Sequence, residues 1–308
     1  MRNGDVRRID PSSGRGSVLP AYLGPRGRSI HGPTAPGAAT LADRTSDLTD
    51  AEVSEVVELL ARGRLERTSR VLPQRLRSRS WASVERVVLE LEGRLPWPGA
   101  GWKVGAAAED VRRAEGVPAP LPGRLFRRSV FNSGAVIGPE FFVNYRLCEC
   151  ELAFELARPF PPRVLPYTEA EVSHGIAALI PAIEIGDSVF EDWYAASGYF
   201  GSCIDNGGGA AFVRGPRTTS WCDADLPDAV VDLFVNGHFL KSGIGNLAMG
   251  HPVTSLTWLV NWLRERGRGT VTGEVVSTGT LTGHCFVAPG DTVRADFGPL
   301  GNVEARFS

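Results

Sequence analysis

Lysine is nearly missing from this chain. Of 308 residues only two are lysine, Lys103 and Lys241, and arginine carries almost all of the basic charge. Net charge is missing too: 33 basic against 35 acidic side chains leave −2. That balance gives no bulk field to gather nucleic acid or an anionic membrane, and neither is expected as a partner. No apolar run approaches the ~20 residues a membrane-spanning helix needs. Cysteine is scarce and odd in number, five in all, with no repeated CxxC spacing. A disulfide framework is therefore not expected, and a reducing, cytoplasmic setting is. The chain also lacks a GxGxxG before a helix, a P-loop, an HExxH and a GxSxG, so nucleotide binding and serine-hydrolase chemistry have no sequence support.

What is present reads as a globular protein of one large domain or two, with 43% hydrophobic and 22% charged residues. The first forty residues are rich in Arg, Gly, Pro and Ser and carry no apolar stretch of the secretory kind. Residues 1–45 are expected to be a flexible extension, or the product of a mis-assigned start. From there a helix is expected to open at the capping box Thr49 with Glu52, with Val53, Val56, Val57 and Leu60 on its inner stripe. A second is expected from Ser80 to Leu91. A short strand at 102–104, strand and turn character through 121–137, and a strand over 143–157 follow. The capping box Thr168 with Glu171 predicts a helix that stops before Pro181, then a short strand at 182–185. Asn236–Gly237 predicts a tight hairpin, and Pro252 and Gly267 bracket another helix. Short strands fill the last third. Helices without strict strand–helix alternation argue for α+β with a curled sheet.

The stretch RLCECELAFEL carries the first chemical signal. On a strand, Glu149 and Glu151 project from one face and Cys148 and Cys150 from the other. Two such carboxylates are either wet, on a half-exposed strand, or bridged by a cation; all-oxygen ligation suits Mg²⁺ or Mn²⁺. The cysteines read as inert core residues. Glu184 lies among Ala182, Ile183 and Ile185, and so needs a partner: a shared cation or an arginine. Lys103, in GWKVG, is either a surface lysine laid on Trp102 or a partly buried group of lowered pKa. In the second case it would act as acid, base or carboxylate partner. The turn STGTLTG, 277–283, is either an anion-binding nest or a linker. Asp205 and Asn206, before three glycines, belong to a ligand-facing loop or an ordinary turn. His251 would cap its helix or touch substrate, and His174 and His238 read as structural.

In order and spacing, GWKVG, GVPAPLPGRLF, ECELAFEL, IPAIEIGDS, the Asp192–Trp193 pair, DNGGG, SGIGNLAMGHPVTSLTWL, GEVVSTGTLTG and PGDTVRADFGPLGNVEARF resemble the fumarylacetoacetate hydrolase superfamily. The nearer likeness is to its 2-oxopent-4-enoate hydratase and 4-oxalocrotonate decarboxylase branch, over roughly residues 50–308. The resemblance implies a mixed β-roll like the fumarylacetoacetate hydrolase C-terminal domain, over 136–308, with a small α/β N-terminal cap at 46–135. It implies Mg²⁺ or Mn²⁺ held by Glu149, Glu151 and Glu184, with Lys103 and Asp205 as catalytic groups. Asn206, Ser277, Thr278, Gly279, Thr280 and Leu121 would line the substrate. The implied activity is that of a metal-dependent lyase on a small unsaturated 2-oxo acid, with hydration as the first reading. Alternatives are decarboxylation of a 2-oxo-dioate, an isomerase, cyclase or C–C hydrolase on the same scaffold, or an accessory subunit. A homo-oligomer, possibly complexed with a pathway partner, is also implied. Two positions depart from the hydratase pattern: Leu121–Pro122 stand where hydratases carry an aspartate, and Gly208 where they carry a loop serine. The His–Glu pair of the C–C hydrolases has no counterpart here.

Overall fold

A computed structural model describes residues 46–190, 198–222 and 224–308, together with two short strands, β1 (Tyr22–Leu23) and β2 (Ser29–Ile30), which pair antiparallel. The rest of the 1–45 extension and the Asp192–Trp193 pair lie outside the described residues. The chain divides into two compact units, Met1–Gly37 and Ala38–Ser308.

The second unit opens with two helices. Helix α1 (Asp50–Glu66) starts at the expected capping box, with Thr49 and Glu52 satisfying each other's orphan groups. Helix α2 (Trp81–Arg94) starts at Ser80, whose hydroxyl accepts from the Ser83 N–H. The inner stripes of both are buried as the spacing predicts. Then come β3 (Gly99–Gly105), α3 (Glu109–Glu115), β4 (Leu121–Phe126), β5 (Val130–Asn132) and β6 (Ala135–Ile137). The central pair is β7 (Leu147–Leu156) and β8 (Ile176–Gly186), separated by α4 (Glu169–Ser173). Next are α5 (Gly198–Ile204), β9 (Gly209–Arg214), and the hairpin β10 (Val230–Val235) and β11 (His238–Ile244). The chain ends with α6 (Pro252–Glu265), β12 (Val275–Thr280), β13 (Cys285–Phe286), β14 (Thr292–Asp296) and β15 (Asn302–Phe307).

Two mixed sheets result. One runs β4-β3-β12-β7-β8-β9-β5, with β13 continuing the β12 side of β7; the other runs β11-β10-β14-β15-β6. This is the expected α+β roll. Its main core lies between the sheets and under α6. It takes Cys148, Cys150, Leu152 and Phe154 from one face of β7, and Ile183 and Ile185 from β8. A second core joins α1 and α2 to Leu121, Phe126, Val189, Phe190 and Ile204. Among the described residues no helix is long and apolar enough to cross a membrane.

Two sequence expectations need correction. The helix after Thr168 is a five-residue turn rather than one reaching Pro181, and β8 begins at Ile176. The chain turns at Gly175, where a side chain would strike the Phe160 ring at 2.4 Å, and the apolar run that follows is a strand buried on both faces. Pro181 is tolerated inside β8 because the neighbouring chain carries one extra residue at that point: Arg214 pairs with Ala182 while Thr218 bridges Leu179. Strand β3 is also longer than expected. Gly101 lies inside the strand, where a Cβ would lie 1.8 Å from the Val275 carbonyl oxygen.

Candidate metal centre

The three glutamates meet through strand register. In the β7–β8 ladder Glu149 stands directly opposite Glu184, and Glu151 opposite Ala182. Opposed residues share a face, and so do residues two apart on one strand. The cysteines alternate into the main core, which leaves the acids on the other face. One carboxylate oxygen from each of Glu149, Glu151 and Glu184 lies within 4.8 Å of the others. Glu151 and Glu184 are each 1% exposed, and the Glu149 side chain 12%. The wet-strand alternative is excluded by that burial.

Each buried acid is held by a different device. Glu151 accepts from the Ser277 hydroxyl and, at 3.1 Å, from the Gly279 N–H. These donors come from a bulge in β12: Ser277 pairs with Ala153 and Thr280 with Glu151, so one extra residue intervenes. Gly279 sits in the bulge at φ 109°, and a Cβ there would meet Ala107 at 2.4 Å. The bulge turns both Ser277 and Thr280 toward the acids. The Thr280 hydroxyl is buried and makes no hydrogen bond. Glu184 has the Lys103 ammonium 3.1 Å from Oε1, but neither of its oxygens accepts a well-aligned hydrogen bond.

Lys103 is itself buried and donates to the Gly207 carbonyl oxygen. The surface-lysine reading is therefore overturned, and without an ion in the site the ammonium is not lowered. Burial alone pushes the ammonium down, but the charges of Glu184, Glu149 and Glu151 outweigh it, and the net shift is up. Burial likewise pushes Glu151 well above the ordinary carboxylate range, reinforced by Glu184 and Glu149. Glu184 is raised by burial and Glu149 against the pull of Lys103.

Three predicted site residues have other work. Asp205 is fully buried; Arg64 of α1 bonds its Oδ1 at 2.6 Å, and its Oδ2 accepts from the Val189 N–H at 2.7 Å. The carboxylate ties the helices to the loop rather than facing the acids. Asn206 spends its amide on the β4 backbone, accepting from Arg124 N–H at 2.7 Å and donating to Arg124 O at 3.0 Å. Thr278 points to the opposite face of β12, where its hydroxyl donates to Leu152 O at 2.7 Å and its carbonyl accepts from Ser255. Leu121 does flank the centre: a Cβ on Gly207 would touch both Lys103 and Leu121. His251 caps α6 through Nδ1, which accepts from Val253 N–H at 3.0 Å.

Two contributors escaped the sequence reading. Asp187, just past β8, accepts from the N–H groups of Val143, Asn144 and Tyr145 and so fixes the approach to β7. Its burial pushes its pKa up to about 6 against the pull of those bonds. His284, in the turn after β12, places Nε2 3.5 Å from Glu149 Oε1. A lone histidine in a glycine-flanked turn gave no signal, because only pairing across β7 brings it there.

The donor set fits a hard divalent ion. It is all oxygen, and neither oxygen of the buried Glu184 carboxylate accepts a well-aligned hydrogen bond. Three carboxylate charges against one ammonium leave a deficit that one dication cancels.

No family model matches the chain. It is 29% identical over 208 residues to a 2-keto-4-pentenoate hydratase from Burkholderia vietnamiensis, covering 68% of this chain and 78% of that protein. It is also 29% identical over 208 residues to a 4-oxalocrotonate decarboxylase from Pseudomonas putida, covering 67% and 76%. Among solved structures, 4-oxalocrotonate decarboxylase from Pseudomonas putida G7, complexed with magnesium and adipate, superposes with a TM-score of 0.75 at 26% identity. That match covers 86% of this chain and all of the other. A fumarylacetoacetate hydrolase family protein from Yersinia pestis shares the fold alone, with a TM-score of 0.53 at 17% identity over 70% of this chain and 95% of the other. In sequence and in fold the chain is similar to the 2-keto-4-pentenoate hydratases and 4-oxalocrotonate decarboxylases, and it shares its fold with a fumarylacetoacetate hydrolase family protein.

Proposed function

We propose that this protein is a divalent-metal-dependent lyase acting on a small unsaturated 2-oxo acid. The observation that carries the reading is the convergence of Glu149, Glu151 and Glu184 within 4.8 Å on one sheet face beside a buried lysine. These three would hold Mg²⁺ or Mn²⁺, which when bound supplies Lewis-acid stabilisation of the enolate that a 2-oxo acid forms. Lys103 supplies the remaining positive charge. Its ammonium, fixed by the Gly207 carbonyl, would pair with a substrate carboxylate or deliver a proton to the enolate carbon. The Thr280 hydroxyl offers an uncommitted donor to a substrate oxygen. Ser277 and Gly279 act on Glu151 rather than on substrate. The apolar cores behind the sheet and under the helices keep water from the rear of the site.

Hydration of a 2-keto-4-pentenoate-type substrate is the first reading. A specific observation favours decarboxylation of a 2-oxo-dioate as the second. Leu121 is buried beside Lys103, where the hydratase pattern calls for an aspartate to steer water or a proton. The test is to load the purified chain with Mg²⁺ or Mn²⁺ and follow the absorbance of unsaturated 2-oxo mono- and diacids together with CO₂ release. Metal-dependent loss of absorbance without CO₂ identifies the hydratase, and with CO₂ the decarboxylase. Absence of turnover on both, with no binding of Mn²⁺, would overturn the proposal.

A further inference from the structure

Glu149 is held less firmly than its two partners. Glu151 has the Ser277 hydroxyl and the Gly279 amide, and Glu184 has Lys103. Glu149 lies at the more open edge of the cluster, and His284 Nε2 approaches its Oε1 at 3.5 Å. The turn that carries His284 is stitched to β7 on both sides of Glu149. On one side Leu281 N–H donates to Cys150 O at 2.8 Å, and Cys150 N–H to the Thr282 hydroxyl at 3.1 Å. On the other, β13 pairs Cys285 with Cys148. The second sheet braces the same turn. Ile244 N–H donates to Leu281 O at 3.3 Å, and the Lys241 ammonium to the His284 carbonyl at 2.6 Å. Backbone bonds thus deliver the imidazole to Glu149.

We propose that His284 is a positioning residue for Glu149, its Nε2–H holding one carboxylate oxygen so that the other faces the ion. The inference rests on the reading that the three acids bind a divalent cation. A flexible glutamate loses rotamer freedom when it ligates, and a partner that has already ordered it lessens that loss. Partners of this kind change metal affinity by about 10- to 100-fold. Lys241 serves the arrangement one step further out, by fixing the turn.

The experiment is a calorimetric titration of the metal-free full chain with Mn²⁺ alone, for wild type, His284→Ala, His284→Gln and Glu149→Gln. Thermal melting in EDTA accompanies each. His284 is half exposed, its side chain 47% accessible, so His284→Ala is expected to melt like wild type without metal. It is expected to bind Mn²⁺ about 10- to 100-fold more weakly, and His284→Gln, which restores an N–H donor, to recover most of the loss. Affinity of His284→Ala within twofold of wild type, or equal losses in Ala and Gln, would overturn the assignment. If the wild type itself fails to bind Mn²⁺, or Glu149→Gln binds as well as wild type, the metal reading falls and the inference with it. If wild type binds and Glu149→Gln does not, an unchanged His284→Ala sinks the inference alone.

Discussion

Replacing Lys103 by methionine keeps the length and bulk of a buried side chain and removes its charge together with its hydrogen bond to the Gly207 carbonyl. In the metal-free protein the ammonium lies 3.1 Å from Glu184 Oε1. At an effective dielectric of ~20 that separation corresponds to about 5 kcal/mol of attraction, much of it offset by the cost of burying both groups. Removing one partner of such a pair costs ~3–5 kcal/mol, because the other charge stays buried alone. A loss of about 3 kcal/mol is therefore expected for Lys103→Met at pH 8 in EDTA, measured by urea unfolding. The loss should shrink toward pH 5. Glu151 and Glu184 already sit above the ordinary carboxylate range through burial and mutual repulsion, and without the ammonium they move higher. A carboxyl whose folded pKa is raised takes up its proton before the unfolded chain does. That stabilising uptake is complete at low pH and is lost as pH rises through the folded value. A proton can therefore stand in for the ammonium increasingly as the pH falls. Mn²⁺ affinity should survive the substitution better than turnover does. A destabilisation equal at the two pH values, or none at pH 8, would refute the electrostatic account of this lysine.

Glu151→Gln should abolish metal-dependent turnover and Mn²⁺ binding while leaving the far-UV circular dichroism unchanged; retained activity would remove Glu151 from the ligand set. Asp205→Asn should destabilise the fold by ~3 kcal/mol in thermal or urea unfolding, since it strands a largely buried Arg64. The folded fraction should keep the wild-type kcat, and a lowered kcat at unchanged stability would return Asp205 to the reacting site. Native protein treated with an aromatic disulfide reagent should react quickly at Cys222 alone among the described cysteines. The others are buried, and Cys150 is pushed up to about 12 by burial; rapid labelling of Cys148 or Cys150 would contradict their place in the core.

Much of the architecture was already legible in residue order. Capping boxes at Thr49 and Thr168, the apolar stripes of α1 and α2, the Asn236–Gly237 hairpin and the proline and glycine bracketing α6 act within a few residues, so local chemistry fixes them. The alternation of acid and cysteine in β7 likewise announced two faces. Sequence could not say that Glu184, 33 positions beyond Glu151, faces Glu149, because cross-strand register is settled by which apolar residues the sheet must bury.

The same boundary runs through the candidate site residues. The sequence by itself singled out the candidate charged side chains, three glutamates and a rare lysine, and left open whether each was buried. Only the tertiary structure decided which of them share a site. It gave Asp205 to Arg64, Asn206 to the β4 backbone and Thr278 to the far face of β12, and it brought His284 to Glu149. The physical reason is that a buried polar group must find a partner. Which partner it finds depends on distances that fold topology sets and that separation along the chain does not encode.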